Sequence, residues 1–184
     1  MRAPLSIIIP TSNSANHLPL CLGSFGEGLR AGIIRELIFA DAGSDDATLT
    51  IAGAAGAEVI SAHNRQLVKG AEMAQGQWFL FLAPTTQLGD GWTEAVIEAF
   101  RAPGAYQFKL QADQRGLRGR CTSVWKSIWR RLVTGPDAHQ GLLIDRASYL
   151  ATGGFVETQQ KGSATLRLAL RTKPKTLAAQ AILT

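Results

Sequence analysis

The sequence predicts an α/β fold in which a mostly parallel sheet is flanked by helices. Short apolar segments rich in branched and aromatic residues alternate with helical segments from Leu5 to Leu110. Several of these segments are apolar at nearly every position, which is typical of strands covered on both faces. Strands that alternate with helices along a chain predict a parallel sheet whose crossover connections are right-handed.

Strands are predicted in this part of the chain from runs of apolar residues: Leu5–Ile9, Ile34–Ala40, Ala57–Ile60, Gln77–Leu82 and Ala105–Leu110. Pro10 is expected to end the first strand, because proline has no amide hydrogen for a sheet ladder. Apolar residues at helical spacing predict the helices between the strands: Asn16–Leu29, Asp46–Ala55, Leu67–Gln75 and Gly91–Phe100.

The sequence after Leu110 is less regular. It predicts a loop at Gln111–Arg120, a helix at Cys121–Val133 and a strand at Gly141–Ile144. A helical turn at Arg146–Ala151 and a sharp turn at Gly153–Phe155 follow. The chain is then predicted to form a further helix at Thr165–Arg171 and a final strand or tail at Thr176–Thr184. The chain has no internal repeat and no linker long enough to separate domains, so one domain is expected for residues 1–184.

The composition is typical of a soluble globular protein, with 46% hydrophobic and 18% charged residues. No apolar run approaches the roughly 20 residues of a membrane-spanning helix, and no signal peptide is predicted at the amino terminus. Cys21 and Cys121 lack the spacing of a metal site, which favours a reduced, cytoplasmic setting. The net charge of +5 favours anionic partners: nucleotide phosphates, nucleic acid or an acidic membrane surface.

The stretch from Leu37 to Thr48 joins a strand to a helix through a polar turn. Its apolar run ends on Asp41, Gly43 lies in the turn, and acidic residues begin the helix. Open α/β sheets form ligand sites in this way, at the carboxyl ends of their strands. Asp41 is therefore a candidate binding residue. In the alternative interpretation, Asp41 and Ser44 only cap the turn and the helix.

Several blocks of sequence follow one another at a natural spacing. They begin at Leu5, Glu36, Gly70 and His139, and they read LSIIIPTSN, ELIFADAGSDDAT, GAEMAQGQWFLFLAPTTQLGDGW and HQGLLIDRASYLATGGF. In these blocks the chain resembles the family-2 glycosyltransferases of the GT-A fold, specifically the small bacterial members. The resemblance covers nearly the whole chain and implies a nucleotide-binding half, residues 1–112, and an acceptor-side half, residues 113–184.

In this family the first two turns hold the base and ribose of a nucleotide sugar. The resemblance implies that role for residues of the same turns here: Pro10, Thr11, Asn13, Asp41 and Gly43. The chemistry agrees, because a carboxylate accepts from a ribose hydroxyl or a base N–H, and an asparagine both donates and accepts. Two cations stand where they could approach the diphosphate, or they are ordinary solvated residues: Arg65 and Lys69.

Two acidic motifs of the family have no counterpart in this chain. Where the family has carboxylates that hold a divalent metal, the sequence from Ala83 to Thr86 reads APTT, and neutral hydroxyls are poor ligands for Mn²⁺ or Mg²⁺. Where the family has its catalytic carboxylates, the sequence from Lys161 to Ala164 reads KGSA, and Ser163 cannot remove a proton unaided. A divalent metal is therefore doubtful, and no metal ligands are predicted.

His139 and Gln140 stand where the family has a glycine-aspartate-glutamine motif, and the resemblance implies a catalytic role for both near the acceptor. An imidazole titrates near neutrality, so a histidine at this place could act as a general base or as a metal ligand. The alternative is that His139 has a structural role.

The segment from Cys121 to Val133 combines apolar residues at helical spacing, two tryptophans among them, with lysine and arginine. It could lie on an anionic membrane and present a lipid-linked acceptor. The alternative is a helix packed on the sheet, with its tryptophans lining the acceptor cleft and its cations solvated. No nucleic-acid-binding motif is present, so nucleic acid is not expected as a partner.

These features predict transfer of a sugar from a nucleotide-sugar donor to an unknown acceptor, in the cytoplasm or at the inner face of the membrane. The resemblance implies inversion of configuration. Without a tightly held metal, cations would offset the charge on the leaving diphosphate. Two other hypotheses stay open: a non-catalytic relative that binds a nucleotide, a sugar or a partner protein, and a basic peripheral membrane protein. The missing carboxylates favour the former of these two.

Overall fold

The computed structural model describes residues 3–63, 65–112, 141–160, 163–168 and 174–183. Within these residues the chain forms an eight-stranded sheet and a separate two-stranded sheet. The helix predicted at Cys121–Val133 and the pair His139 and Gln140 lie outside the described residues. The loop predicted at Gln111–Arg120 begins inside a strand and otherwise lies outside them as well.

The strands are β1 (Leu5–Thr11), β2 (Ile34–Asp41), β3 (Glu58–Ser61), β4 (Trp78–Phe81), β5 (Thr86–Leu88), β6 (Ala105–Ala112), β7 (Leu142–Asp145), β8 (Phe155–Gln160), β9 (Ser163–Leu168) and β10 (Lys175–Leu183). The helices of the described residues are α1 (Leu18–Gly23), α2 (Gly26–Arg30), α3 (Thr48–Ala54), α4 (Gln66–Met73), α5 (Trp92–Ala99) and α6 (Arg146–Ala151). None of these helices is long and apolar enough to cross a membrane.

The eight-stranded sheet has the strand order β3-β2-β1-β4-β7-β6-β10-β5. The first four strands in that order are parallel where they pair, and β10 is parallel to β6. β7 is antiparallel to both of its neighbours, and β5 is antiparallel to β10. Only β5 and β7 therefore run against the others, which confirms the predicted mostly parallel sheet.

Helices cover both faces of the sheet, as its continuously apolar strands require. On one face, Ile7 and Ile9 of β1 belong to a buried cluster that includes residues of α1, α3 and α5. On the other face, Ile8 belongs to a cluster with residues of α4 and α6. A Cβ on Gly70 of α4 would lie 2.5 Å from Cγ2 of Ile8. Glycine at this position therefore lets α4 pack closely against β1.

β1 continues through Pro10 to Thr11, beyond its predicted end. Alternate residues of a strand direct their amide groups to opposite neighbours, and the carbonyl of Ile8 accepts from Leu82 on the β4 side. The nitrogen of Pro10 therefore faces β4 as well. Pairing of β1 with β4 ends at Ile8 and Phe81, so the missing amide hydrogen interrupts no ladder bond.

The single helix predicted over Asn16–Leu29 is two short helices, α1 and α2, separated by a turn. The hydroxyl of Ser24 donates to the carbonyl of Cys21 at 2.6 Å. The indole N–H of Trp92 donates to the carbonyl of Ser24 at 2.9 Å. Both bonds occupy carbonyl groups that a continuous helix would use for its own amides. A local serine contact and a tertiary tryptophan contact thus lie at the turn where the predicted helix is interrupted.

The helix predicted over Thr165–Arg171 is wrong for the residues that the structure describes. Ser163–Leu168 form β9, which pairs antiparallel with β8. Leucine alternates with polar residues from Thr165 to Leu168, and a period of two suits a strand.

The segment Thr176–Thr184 was predicted as a strand or a tail, and its described residues form a strand. This strand is β10, which lies inside the large sheet between β6 and β5.

Candidate nucleotide-binding edge

The carboxyl ends of β1, β2 and β3 lie side by side at one edge of the large sheet. Thr11 pairs with Asp41, and Asp41 pairs with Ser61. The chain winds from β1 outward to β3 and then returns to β4 on the other side of β1. Open α/β sheets bind ligands at such a switch in winding direction. Residues 11–15, 41–48, 61–63 and 65–69 are referred to below as the β1–β3 edge.

Asp41 is the central side chain of the β1–β3 edge, and it is only 4% exposed. Its Oδ1 accepts from the hydroxyls of Thr11 at 2.8 Å and Ser44 at 2.6 Å. Its Oδ2 accepts from the backbone amides of Gly43 at 2.9 Å and Ser44 at 2.7 Å. A carboxylate offers about four lone-pair positions, so these contacts occupy all of them. The geometry agrees with the capping interpretation: Asp41 determines the shape of the turn.

The surroundings of Asp41 keep its carboxyl group ionised. Burial alone would raise its pKa, but hydrogen bonds from Ser44, Thr11 and Gly43 outweigh burial and lower the pKa below the ordinary value. A carboxyl whose pKa is lower in the folded state stabilises the fold above its unfolded pKa. That contribution is lost as the pH falls through the folded pKa. Asp41 therefore stabilises the turn at neutral pH as an anion.

Hydrogen bonds also connect the loop after β1 to the loop after β2. The amide of Asn13 donates to Oγ of Ser44, and Oδ1 of Asn13 accepts from the amide of Asp45, both at 2.9 Å. Two further bonds from backbone amides to side chains join Ser14 to Thr48 and Ala15 to Asp46. Asn13 has a φ of 47°, in the left-handed region that asparagine adopts more readily than most residues. The two loops are thus a single preorganised unit with Asn13 exposed on it.

Gln66, the first residue of α4, fastens the ends of β1 and β2 to each other. Its Nε2 donates to the carbonyl of Thr11 at 2.8 Å and to the carbonyl of Ala40 at 2.7 Å. The side chain is buried, and both hydrogens of its amide group are used. Gln66 was not among the residues predicted from the sequence, because a glutamine at a helix start carries no pattern that distinguishes a buried contact from an exposed one.

Basic side chains gather where β3 ends and α4 begins. The ammonium group of Lys69 donates to the carbonyl of Ser61 at 3.1 Å, which holds it at the end of β3. Arg65 precedes α4 with a φ of 61°, and its side chain is exposed. Neither residue forms an ion pair within the part of the chain that the structure describes. Both cations are accessible to an anionic ligand, as the predicted diphosphate role requires.

His63 follows β3 and contacts the turn after β2, although the sequence analysis did not identify it. Its Nδ1 lies 2.8 Å from the carbonyl oxygen of Ala42. Gly43 has a φ of 93°, and a Cβ at this residue would lie 2.8 Å from Cε1 of His63. Glycine is therefore required at position 43 both by the backbone conformation and by the neighbouring ring.

The segment from Ala83 to Thr86 follows β4 beside the end of β1, and all of its residues are buried. The family resemblance implies carboxylates here for a divalent metal, but the segment has none, and Mg²⁺ or Mn²⁺ takes carboxylate oxygens in preference to neutral hydroxyls. No group of three His, Cys, Asp or Glu side chains among the described residues could hold a metal ion. The residues present after β4 do not fit the metal that the family implies.

The structure gathers most of the predicted nucleotide-binding residues. Pro10 is buried inside β1. The others lie in the β1–β3 edge: Thr11, Asn13, Asp41, Gly43, Arg65 and Lys69. Their role in binding stays a prediction. The predicted catalytic residues, His139 and Gln140, lie outside the described residues.

A family model described as glycosyl transferase family 2 matches residues 6–132, which is more than half of the chain. The chain belongs to glycosyl transferase family 2. The matched range contains the whole β1–β3 edge together with β4. The match confirms the family to which the sequence blocks pointed.

Curated relatives of this family-2 chain include PGL/p-HBAD biosynthesis glycosyltransferases from Mycobacterium tuberculosis and Mycobacterium bovis. Each is 37% identical over 111 residues, a region that covers 54% of this chain and 43% of the relative. The chain therefore matches less than half of the length of these relatives.

Solved structures show the same fold. Staphylococcus aureus TarS 1–349 in complex with UDP-GlcNAc has a TM-score of 0.62 at 15% identity, covering 98% of this family-2 chain and 59% of the TarS chain. Glucosyl-3-phosphoglycerate synthase from Mycobacterium tuberculosis, in complex with Mn²⁺ and UDP-glucose, has a TM-score of 0.55 at 17% identity. The match covers 79% of this chain and 57% of the synthase chain. These structures confirm the predicted GT-A architecture.

Proposed function

We propose that this chain binds a nucleotide sugar and takes part in transfer of the sugar to an acceptor, with inversion of configuration. The observation that carries the proposal is the overlap between the family-2 match, residues 6–132, and the preorganised β1–β3 edge. Relatives named as glycosyltransferases support it, as do neighbours of the same fold that hold UDP-GlcNAc or UDP-glucose. The proposed donor class is therefore a uridine-diphosphate sugar.

In the proposed complex the nucleoside lies along the ends of β1 and β2. Asn13 is exposed on the joined loops, and its side-chain N–H groups can donate to the base or the ribose. Asp41 is saturated within the protein, so a ligand N–H or O–H gains a direct bond to it only when the hydroxyl of Thr11 or Ser44 turns to another acceptor. The main effect of Asp41 is to hold Gly43 and its neighbours in the conformation that receives the nucleoside.

The diphosphate is proposed to lie against Arg65 and Lys69. Guanidinium and ammonium groups there would offset the negative charge that develops on the departing diphosphate. The segment after β4 does not fit a divalent metal, so no step of the proposal runs through one. Donor binding is accordingly expected to be independent of Mn²⁺.

The acceptor-side half, residues 113–184, is proposed to receive the acceptor, with His139 and Gln140 beside it. A lipid-linked acceptor at a membrane surface would suit the Trp- and Arg-containing sequence from Cys121 to Val133. A second candidate function is a non-catalytic module that binds the nucleotide sugar without transfer. The lack of carboxylates from Ala83 to Thr86 is the observation that favours it.

Release of UDP from UDP-glucose and UDP-GlcNAc tests the proposal. Without the acceptor, water takes the sugar in place of the acceptor as UDP leaves. We expect the protein to release UDP in this way faster than a blank without protein, at equal rates in EDTA and in Mn²⁺. Release that requires Mn²⁺ would contradict the cation-based account of the diphosphate. Binding of UDP without any release would favour the non-catalytic module, and neither binding nor release would contradict nucleotide-sugar chemistry for this chain.

A further inference from the structure

The hydrogen bond of His63 fixes which of its ring nitrogens carries a hydrogen. Nδ1 lies 2.8 Å from the carbonyl oxygen of Ala42. A carbonyl oxygen can only accept, so Nδ1 must be the donor. In the neutral ring Nε2 is then a bare acceptor. Because the two nitrogens point away from each other across Cε1, Nε2 faces away from this carbonyl.

Nε2 of His63 is available to a ligand. The side chain is exposed, and Nε2 has no hydrogen-bond partner among the residues that the structure describes. The ring lies against Gly43, whose missing Cβ leaves room for it. Gly43 in turn donates its amide to Asp41 at 2.9 Å. The unused acceptor is therefore held on the turn that Asp41 shapes.

We propose that His63 is a specificity-determining residue that recognises the nucleoside part of the donor. Its Nε2 accepts a hydrogen bond from an N–H of the base or an O–H of the ribose. This inference rests on the proposed function and adds to the β1–β3 edge a contact from β3, beside those expected from β1 and β2. Lys69 and Arg65, on the same segment, remain for the diphosphate.

The competing explanation is that His63 only fastens the end of β3 to the turn after β2. That role needs the Nδ1–H donor and makes no use of Nε2. Two conservative variants separate the roles. In His63→Asn the side-chain amide can take the place of Nδ1 and keep the bond to Ala42, but it does not reach the position of Nε2. In His63→Gln the longer side chain brings an acceptor to the position of Nε2.

Calorimetric titration with UDP is the test, with thermal melting as a check that each variant is folded. We expect His63→Asn to weaken UDP binding about fivefold to tenfold, the usual effect of one lost hydrogen bond. His63→Gln should bind within about threefold of the wild type. The opposite ranking, or equal binding by all three proteins, overturns the proposal. A wild-type protein that binds no UDP overturns the proposed function as well, so the two failures are distinguishable.

Modified nucleotides distinguish the two possible donors. N3-methyl-UDP lacks the base N–H, and 2′-deoxy-UDP and 3′-deoxy-UDP each lack one ribose hydroxyl. We expect one of the three to lose affinity for the wild type while losing little further affinity for His63→Asn, because the variant already lacks that contact. Losses that simply add to the effect of His63→Asn for all three nucleotides overturn the proposal.

Discussion

Gln66→Glu is expected to lower the free energy of unfolding by at least about 3 kcal/mol, because it buries an unpaired charge. In the wild type, Nε2 of Gln66 donates to the carbonyls of Thr11 and Ala40 at 2.8 and 2.7 Å. A carboxylate in its place would direct an oxygen at two carbonyl oxygens. Protonation would restore only one of the two bonds, so the destabilisation should be smaller at acidic pH than at neutral pH. Chemical denaturation at both pH values measures it.

Gln75→Glu is the matched control for this change. Gln75 lies just beyond the end of α4 and is exposed, and its Oε1 accepts from Arg35 at 2.8 Å. The same chemical change should therefore leave stability unaltered within about 0.5 kcal/mol, as is usual for exposed sites. Comparable destabilisation by the two variants would contradict the role given to Gln66 in joining β1 to β2.

Asp41→Ala is expected to weaken UDP binding at least about tenfold and to lower stability by about 3 kcal/mol. The substitution leaves the partly buried amides of Gly43 and Ser44 and the buried hydroxyl of Thr11 without their acceptor. The turn that is proposed to receive the nucleoside then loses its fixed shape. Calorimetric titration and denaturation measure the two effects.

Asp45→Ala is the control for Asp41→Ala. Asp45 is exposed in the same turn, and its carboxylate has no hydrogen-bond partner among the described residues. Its removal should change stability by less than about 0.5 kcal/mol.

Unaltered UDP affinity in a folded Asp41→Ala protein would contradict the role proposed for Asp41 in shaping the turn that receives the nucleoside.

The difference in stability between the wild type and a variant that lacks the Asp41 carboxylate should also depend on pH. Because its pKa is lowered in the folded state, the carboxylate contributes fully to the free energy of unfolding above the unfolded pKa, which is about 3.9. The contribution is lost as the pH falls through the folded pKa. The stability advantage of the wild type over Asp41→Asn, which stays uncharged, should therefore shrink below about pH 4. An advantage that stays constant or grows on acidification would contradict the ionised state assigned to Asp41.

Local patterns were sufficient to predict much of the sheet and its direction. Apolar runs and helical spacing are properties of neighbouring residues, and they placed the strands and helices from Leu5 to Leu110. The errors arose at segments that make contacts with residues far away in the sequence. The turn between α1 and α2 accepts a hydrogen bond from Trp92, which is 68 residues from Ser24. β5 has three residues and is a strand through its pairing with the carboxyl-terminal β10.

The geometry of the β1–β3 edge could be predicted from the sequence to a similar extent, while its binding role stays a prediction. Asp41 could be identified because strand, carboxylate, turn and helix start follow one another in the sequence. His63 and Gln66 could not, because the contacts that hold them at this edge are to backbone groups far along the chain. His63 contacts Ala42, 21 residues away, and Gln66 contacts Thr11, 55 residues away. Carbonyl partners of this kind leave no residue-type signal in a sequence, since every residue has a carbonyl.

The measurement that tests the nucleotide-binding edge most directly is a backbone amide NMR titration with UDP in the presence of EDTA. We expect the amide signals that shift to come from residues 11–15, 41–48, 61–63 and 65–69. An open groove of about 390 Å³ at the opposite end of the sheet serves as the internal reference, and its lining residues Arg35, Glu58 and Gln75 should not shift. Shifts confined to that groove, or no shifts at all, would contradict nucleotide binding at the β1–β3 edge.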